Sequence, residues 1–194
     1  MVDVSVLAPL RRPLYWVALV ALLSVCGAGL CRAQSDQPND ESQVKAAYLY
    51  RLAGYVEWPD GALGDMDAPF TIGVLGADPI AEELAQIVSG RKIHARAIAV
   101  RRLKADDGLD GIAILFVGKA ETARLKPLLG SLQSHSVLAV TEDEGGLALG
   151  SIINFLLVDR RVRFEVSLEP AEKRGLRLSS RMLAVAQKVH SGER

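Results

Sequence analysis

The chain is nearly without cysteine. Its two cysteines, Cys26 and Cys31, both lie in the N-terminal apolar stretch. A domain folded from the remainder has no disulfide to staple it, so its core must suffice alone. An excess of one charge is also missing, with 23 basic residues against 23 acidic ones. That balance gives no reason to expect nucleic acid or an anionic membrane surface as partner. Catalytic patterns are missing as well. No G-x-S-x-G occurs, and no lysine-bearing phosphate loop. Gly73-Val74-Leu75-Gly76 stands between a strand and a helix, but the full dinucleotide pattern is absent and Asp78 would repel a phosphate. His94, His135 and His190 are far apart and lack the spacing of metal ligands. Glu142, Asp143 and Glu144 read as a solvated acidic loop. No metal, no cofactor and no enzymatic activity are expected.

What is present begins with an export signal. Arg11 and Arg12 precede an apolar run from Leu14 to Cys31, and Cys31-Arg32-Ala33 offers small residues at the two positions a signal peptidase reads. Residues 1–33 therefore read as a signal peptide cleaved before Gln34. A retained membrane anchor is the competing reading; Gly27, Ala28 and Gly29 and the polar tail that follows weaken it. The residues before the two cysteines, Val25 and Leu30, argue against a lipoprotein. Removing 33 residues from 194 leaves 161, one ordinary domain. The removed part carries Arg11, Arg12, Arg32 and Asp3, so 23 and 23 become 20 basic and 22 acidic residues.

Residues 34–41 are polar and read as a disordered lead-in. One domain is expected over 42–191. Ser42 to Glu57 reads as a helix bounded by Trp58-Pro59, with Val44, Tyr48, Leu52, Tyr55 and Val56 on one face. Leu49, Tyr50 and Ala53 leave its other faces apolar too, which implies packing on two sides or cover by a partner. Strands are expected at Phe70–Leu75, Ala95–Leu103, Ile112–Val117 and Ser136–Thr141. Helices are expected at Ile80–Val88 and Ala120–Leu129. Ile152–Val158 and the strictly alternating Arg161–Ser167 flank Asp159-Arg160 as an antiparallel hairpin. Pro170 suits a first helical turn, Gly175 a helix stop, and Ser179 or Ser180 a cap. Met182, Leu183, Ala186 and Val189 suggest a last amphipathic helix. The pattern predicts a three-layer αβα sandwich, its sheet mostly parallel with an antiparallel C-terminal hairpin.

Three recognition sites follow from the residues. The first is a partner surface of Tyr48, Tyr50 and Trp58 with the charged strand face Arg161, Arg163 and Glu165. The competing readings are that Trp58 closes the core edge and that the strand face is plain solvated hairpin. The second places a small ligand at the carboxyl ends of the parallel strands, near Gly76, Gly118 and Glu142. That site would suit a receptor feeding a membrane sensor kinase or transporter. The third is Arg177 and Arg181 beside the cap serines Ser179 and Ser180, able to hold an anion or to pair with Glu165 or Glu169.

The ordered set VKAAYLYRLAGYVEWP, FTIGVLG, ILFVG and GSIINFLLVDRRVRFEVSLEPAEKRGLRLSSRML resembles the YfiR/HmsC-like family of exported bacterial regulators. The resemblance implies an α/β periplasmic protein, with a tendency to dimerise, that represses an inner-membrane diguanylate cyclase by binding its periplasmic domain. Cyclic di-GMP and biofilm formation would fall as a result. The family motif carries over to Lys45, Ala46, Tyr48, Trp58, Pro59, Asn154, Phe164, Glu165, Leu178, Ser179 and Ser180. Some relatives carry cysteines in the folded domain, one at the start of the strand matching Ile112-Ala113-Ile114. The mature part of this chain has none, which excludes thiol-based switching.

Overall fold

Apolar residues run without interruption through Ile112–Val117 and, but for Thr71, through Phe70–Leu75, and both segments are strands buried on both faces. A computed structural model describes residues 38–192; the expected signal peptide and its cleavage before Gln34 lie outside the described residues. The sheet has eight strands in the order β10-β8-β7-β6-β5-β2-β4-β3. They are β2 (Phe70–Leu75), β3 (Lys92–Ile93), β4 (Arg96–Leu103), β5 (Ile112–Val117), β6 (Leu138–Thr141), β7 (Ile153–Val158), β8 (Arg161–Ser167) and β10 (Lys188–His190). β4, β2, β5, β6 and β7 run parallel; β3 pairs antiparallel with β4, β8 antiparallel with β7, and β10 parallel with β8. The chain leaves β2 toward β4, then returns past β2 to β5 and beyond, so the order reverses between β2 and β5.

That reversal sends the helices to opposite faces. Ile72, Val74, Ile114 and Phe116 point to one core, shared with α1 (Pro38–Ala53) and α2 (Asp78–Val88). Leu75, Leu115 and Val117 point to the other, shared with α3 (Leu125–Ser131). The result is the expected αβα arrangement with its antiparallel hairpin.

Local departures from the sequence reading have physical causes. α1 begins at Pro38, so residues 38–41 of the polar lead-in are helical, and proline is tolerated in a first turn. It stops at Ala53 rather than at Trp58, because Gly54 and Tyr55 bond back three residues to Arg51 and Leu52. Its buried side is Ala46, Leu49, Leu52 and Ala53, and Tyr55 is exposed. Val56–Glu57 is instead a short strand, β1, paired antiparallel with β9 (Arg177–Leu178). The expected helix at Ala120–Leu129 is split into a 3-10 helix over Lys119–Arg124 and α3. Pro127 explains the break: it lacks an N–H and crowds the carbonyl four residues back. α4 (Leu168–Lys173) contains Pro170 and is stopped by Gly175 at φ +72°.

The expected last helix is a single turn, α5 (Ser180–Leu183). Val189 belongs to β10, opposite Val166, so its place in a helical stripe was coincidental.

Candidate partner-binding surface

The hairpin of β7 and β8 turns on Asp159 and Arg160, both left-handed at φ 49° and 59°. A two-residue turn of that hand matches the twist of the strands it joins. Its register pairs Phe155 with Phe164, Leu156 with Arg163, and Val158 with Arg161. One face, with Ile153, Phe155, Val162, Phe164 and Val166, is buried in the α1 core. The opposite face carries Asn154, Leu156, Val158, Arg161, Arg163 and Glu165. The α3 core ends at β6 and takes no residue from β7 or β8. Among the described residues, therefore, no helix covers this face. Arg161 is exposed, and Leu156, Val158, Arg163 and Glu165 are half-buried. Glu165 meets His190 of β10 at 3.4 Å, and Lys188 stands opposite Glu165 in register. The face is charged along β8 and apolar along the outer half of β7.

The aromatic half of the expected surface divides. Tyr48 packs on the hairpin's buried side, with ring centroids 5.9 Å from Phe155 and 5.7 Å from Phe164. Tyr50 is half-buried, and the Arg91 guanidinium lies 5.1 Å over its ring. Trp58 stands edge-on to Phe70 at 5.1 Å and to His94 at 5.8 Å. Its indole Nε1 is buried without an acceptor. One edge of Trp58 also lines a shallow cleft with Glu57, Met66 and Arg96. Tyr48 and Trp58 thus lie apart from the charged hairpin face.

The three residues of the ligand reading do not share a cavity. Gly76, at φ +67°, lines an open cleft with Asp78, Arg102 and Lys104. Gly118 closes onto it: its N–H donates to the Leu75 carbonyl at 2.8 Å, and a Cβ there would overlap the Gly76 carbonyl. That contact brings the ends of β2 and β5 together. Glu142 stands beside Gly118 rather than in that cleft, accepting from Lys45 and from the N–H of the adjacent Lys119 at 3.0 Å.

Arg177 does not reach Glu165 or Glu169. It donates to Glu57 across the β1–β9 pair, its Nε at 2.9 Å. Ser179 caps α5, accepting from the Arg181 N–H at 3.2 Å, and Ser180 is the first residue of the turn. Glu169 pairs with Lys173.

Three buried cations escaped the sequence reading. Lys45 is 5% exposed and bridges Glu41 and Glu142. Burial alone would lower its pKa, but the hydrogen bonds and charges of the two carboxylates outweigh burial and raise it. Arg174 donates to the carbonyls of Gly150, at 2.9 Å, and Val137, and burial pushes its pKa down. Arg96 gathers the loop at 60–68. Nearby, the Thr122 hydroxyl and the Gly145 N–H hold the Asp143 carboxyl below its usual range.

A family model described as YfiR/HmsC-like matches residues 42–187, most of the chain. The chain belongs to the YfiR/HmsC-like family. This family is regulatory rather than catalytic, and membership supports a periplasmic regulator in cyclic di-GMP signalling. Among the described residues, no three His, Cys, Asp or Glu converge as metal ligands, and no helix is long and apolar enough to cross a membrane. In this YfiR/HmsC-like chain several motif residues have structural work. Lys45 ties α1 to the loop after β6, and Asn154 accepts from the buried Thr141 hydroxyl at 2.7 Å. Pro59 packs against Gly175, and Leu178 pairs with Val56. Glu165 is different, since it stands on the uncovered face.

Proposed function

We propose that this protein binds the periplasmic sensor domain of an inner-membrane diguanylate cyclase and represses it, lowering cyclic di-GMP and biofilm formation. The β7–β8 face, with Arg161, Arg163 and Glu165 on β8 beside Leu156 and Val158 on β7, supports this reading within a regulatory family. Apolar centres with a charged rim are the composition of a protein interface. Repression works by population shift: the regulator binds the inactive conformation of the cyclase better than the active one. Deleting the gene, with the cyclase present, should raise cellular cyclic di-GMP. An unchanged level would overturn the proposal.

The mature protein acts in the periplasm after cleavage before Gln34, and N-terminal sequencing of the exported protein should begin at that residue. A homodimer is the expected state, to be read by sedimentation. The receptor reading retains the open cleft beside Gly76. A small molecule from periplasmic extract that raises the unfolding temperature, with cyclic di-GMP insensitive to the deletion, would favour it.

A further inference from the structure

We propose that Met66 is an oxidation site and that its sulfoxide tightens the loop that carries it. Among the described residues sulfur occurs only in Met66, which is 72% exposed, and Met182, which is 1% exposed. The loop at 60–68 is wrapped around Arg96, a guanidinium that makes no ion pair among the described residues and is 7% exposed. Its two terminal nitrogens have four hydrogens and meet four acceptors. Nη1 donates to the carbonyls of Asp65 and of Ala68, the latter at 3.0 Å. Nη2 donates to the Gly64 carbonyl at 3.0 Å and to the Met66 sulfur at 3.9 Å.

Three of those acceptors are strong and one, the thioether, is weak. The weak one belongs to an exposed side chain.

Hydrogen peroxide, or another hydroperoxide, would change that ranking. A sulfur lone pair forms an S–O bond as the peroxide O–O bond breaks. The sulfur loses two electrons, the peroxide gains them, and water leaves, or the corresponding alcohol from an organic hydroperoxide. Methionine sulfoxide usually disrupts because it places a polar group in a core. Met66 is not in a core. Its exposed side chain can turn the new oxygen toward Nη2, giving an uncompensated cation a fourth strong acceptor. The same loop lines the cleft beside Trp58 and His94, so the oxidation state is displayed on that surface. A mature chain without thiols thereby keeps one oxidant-responsive sulfur.

The test uses the mature protein, limited peroxide, peptide mass spectrometry and amide hydrogen exchange. One oxygen should appear on the Met66 peptide while Met182 stays unmodified. Exchange across residues 60–68 should slow by about fivefold, the effect of one added hydrogen bond. Met66→Gln, which places an amide carbonyl at the same distance along the side chain, should slow exchange without peroxide. Met66→Leu should be insensitive to peroxide. Oxidation of Met182 in step with Met66 would overturn the proposal. So would loop exchange as fast as, or faster than, that of untreated protein in both the oxidised form and Met66→Gln.

Discussion

Lys45 shows what a single residue contributes to this fold and why it was not read beforehand. In the sequence it interrupts the apolar faces of α1; in the fold it is buried between Glu41 and Glu142. Its burial depends on a carboxylate 97 residues away, which no local pattern reveals. Lys45→Met should cost about 3 kcal/mol, because Glu142 would be left buried without its cation. Chemical denaturation reads this directly. The pH dependence follows from the raised pKa. The unfolded value is near the ordinary 10.5, so the stabilisation is complete below it and is lost as pH climbs through the higher folded value. Lys45→Met should abolish that alkaline loss. Gly146 makes the neighbouring loop equally exacting. A Cβ there would overlap the buried Thr141 hydroxyl and lie 3.1 Å from Asn154 Oδ1. Gly146→Ala should destabilise by about 2 kcal/mol, since β-branched Thr141 is 0% exposed and cannot turn aside.

At the level of elements, the sequence was most legible where one pattern had one explanation. Short, dominantly apolar runs gave β2 and β5 with their limits, and strict alternation gave β8 and its turn. Legibility failed where pairing was distant or a pattern was short. β1 and β9 are two residues each and lie some 120 positions apart. β10 shares its apolar spacing with a helical turn. The hairpin of β3 and β4 holds a further testable feature. Its turn residues His94 and Ala95 are left-handed, at φ 49° and 64°. His94 compensates by packing on Trp58 and Phe70 and bonding the Ala53 carbonyl at 3.1 Å. Ala95 is exposed, and its Cβ is strained against the backbone in that conformation. Ala95→Gly should therefore raise stability by about 1 kcal/mol, measured as a higher denaturation midpoint at unchanged slope. An unchanged or lower midpoint would show that the turn bears no strain.

For the whole molecule, the decisive matter is which surface meets the partner. Alternation in Arg161–Ser167 was enough to place Arg163 and Glu165 on one face, but not to show that no helix among the described residues covers it. That depended on α3 stopping short of β7. The aromatic residues are the weaker candidates on geometry. Truncating Tyr48 would strip a ring from Phe155 and Phe164 and so read stability rather than association. Tyr50→Ala is the cleaner aromatic test, because that ring is half-buried beneath Arg91. If the hairpin face is the docking surface, reversing its charge with Arg161→Glu and Arg163→Glu should weaken binding to the cyclase's periplasmic domain by about tenfold or more. The salt dependence of association should flatten in the same variant, since surface charges act within a screening length. Unfolding temperature should move little, because both side chains stand on a solvent-facing strand surface. Titration of the purified domains at two salt concentrations separates the alternatives. If the double reversal binds as tightly as the parent while Tyr50→Ala binds weakly, the partner sits on α1 and the hairpin face is ordinary solvated sheet.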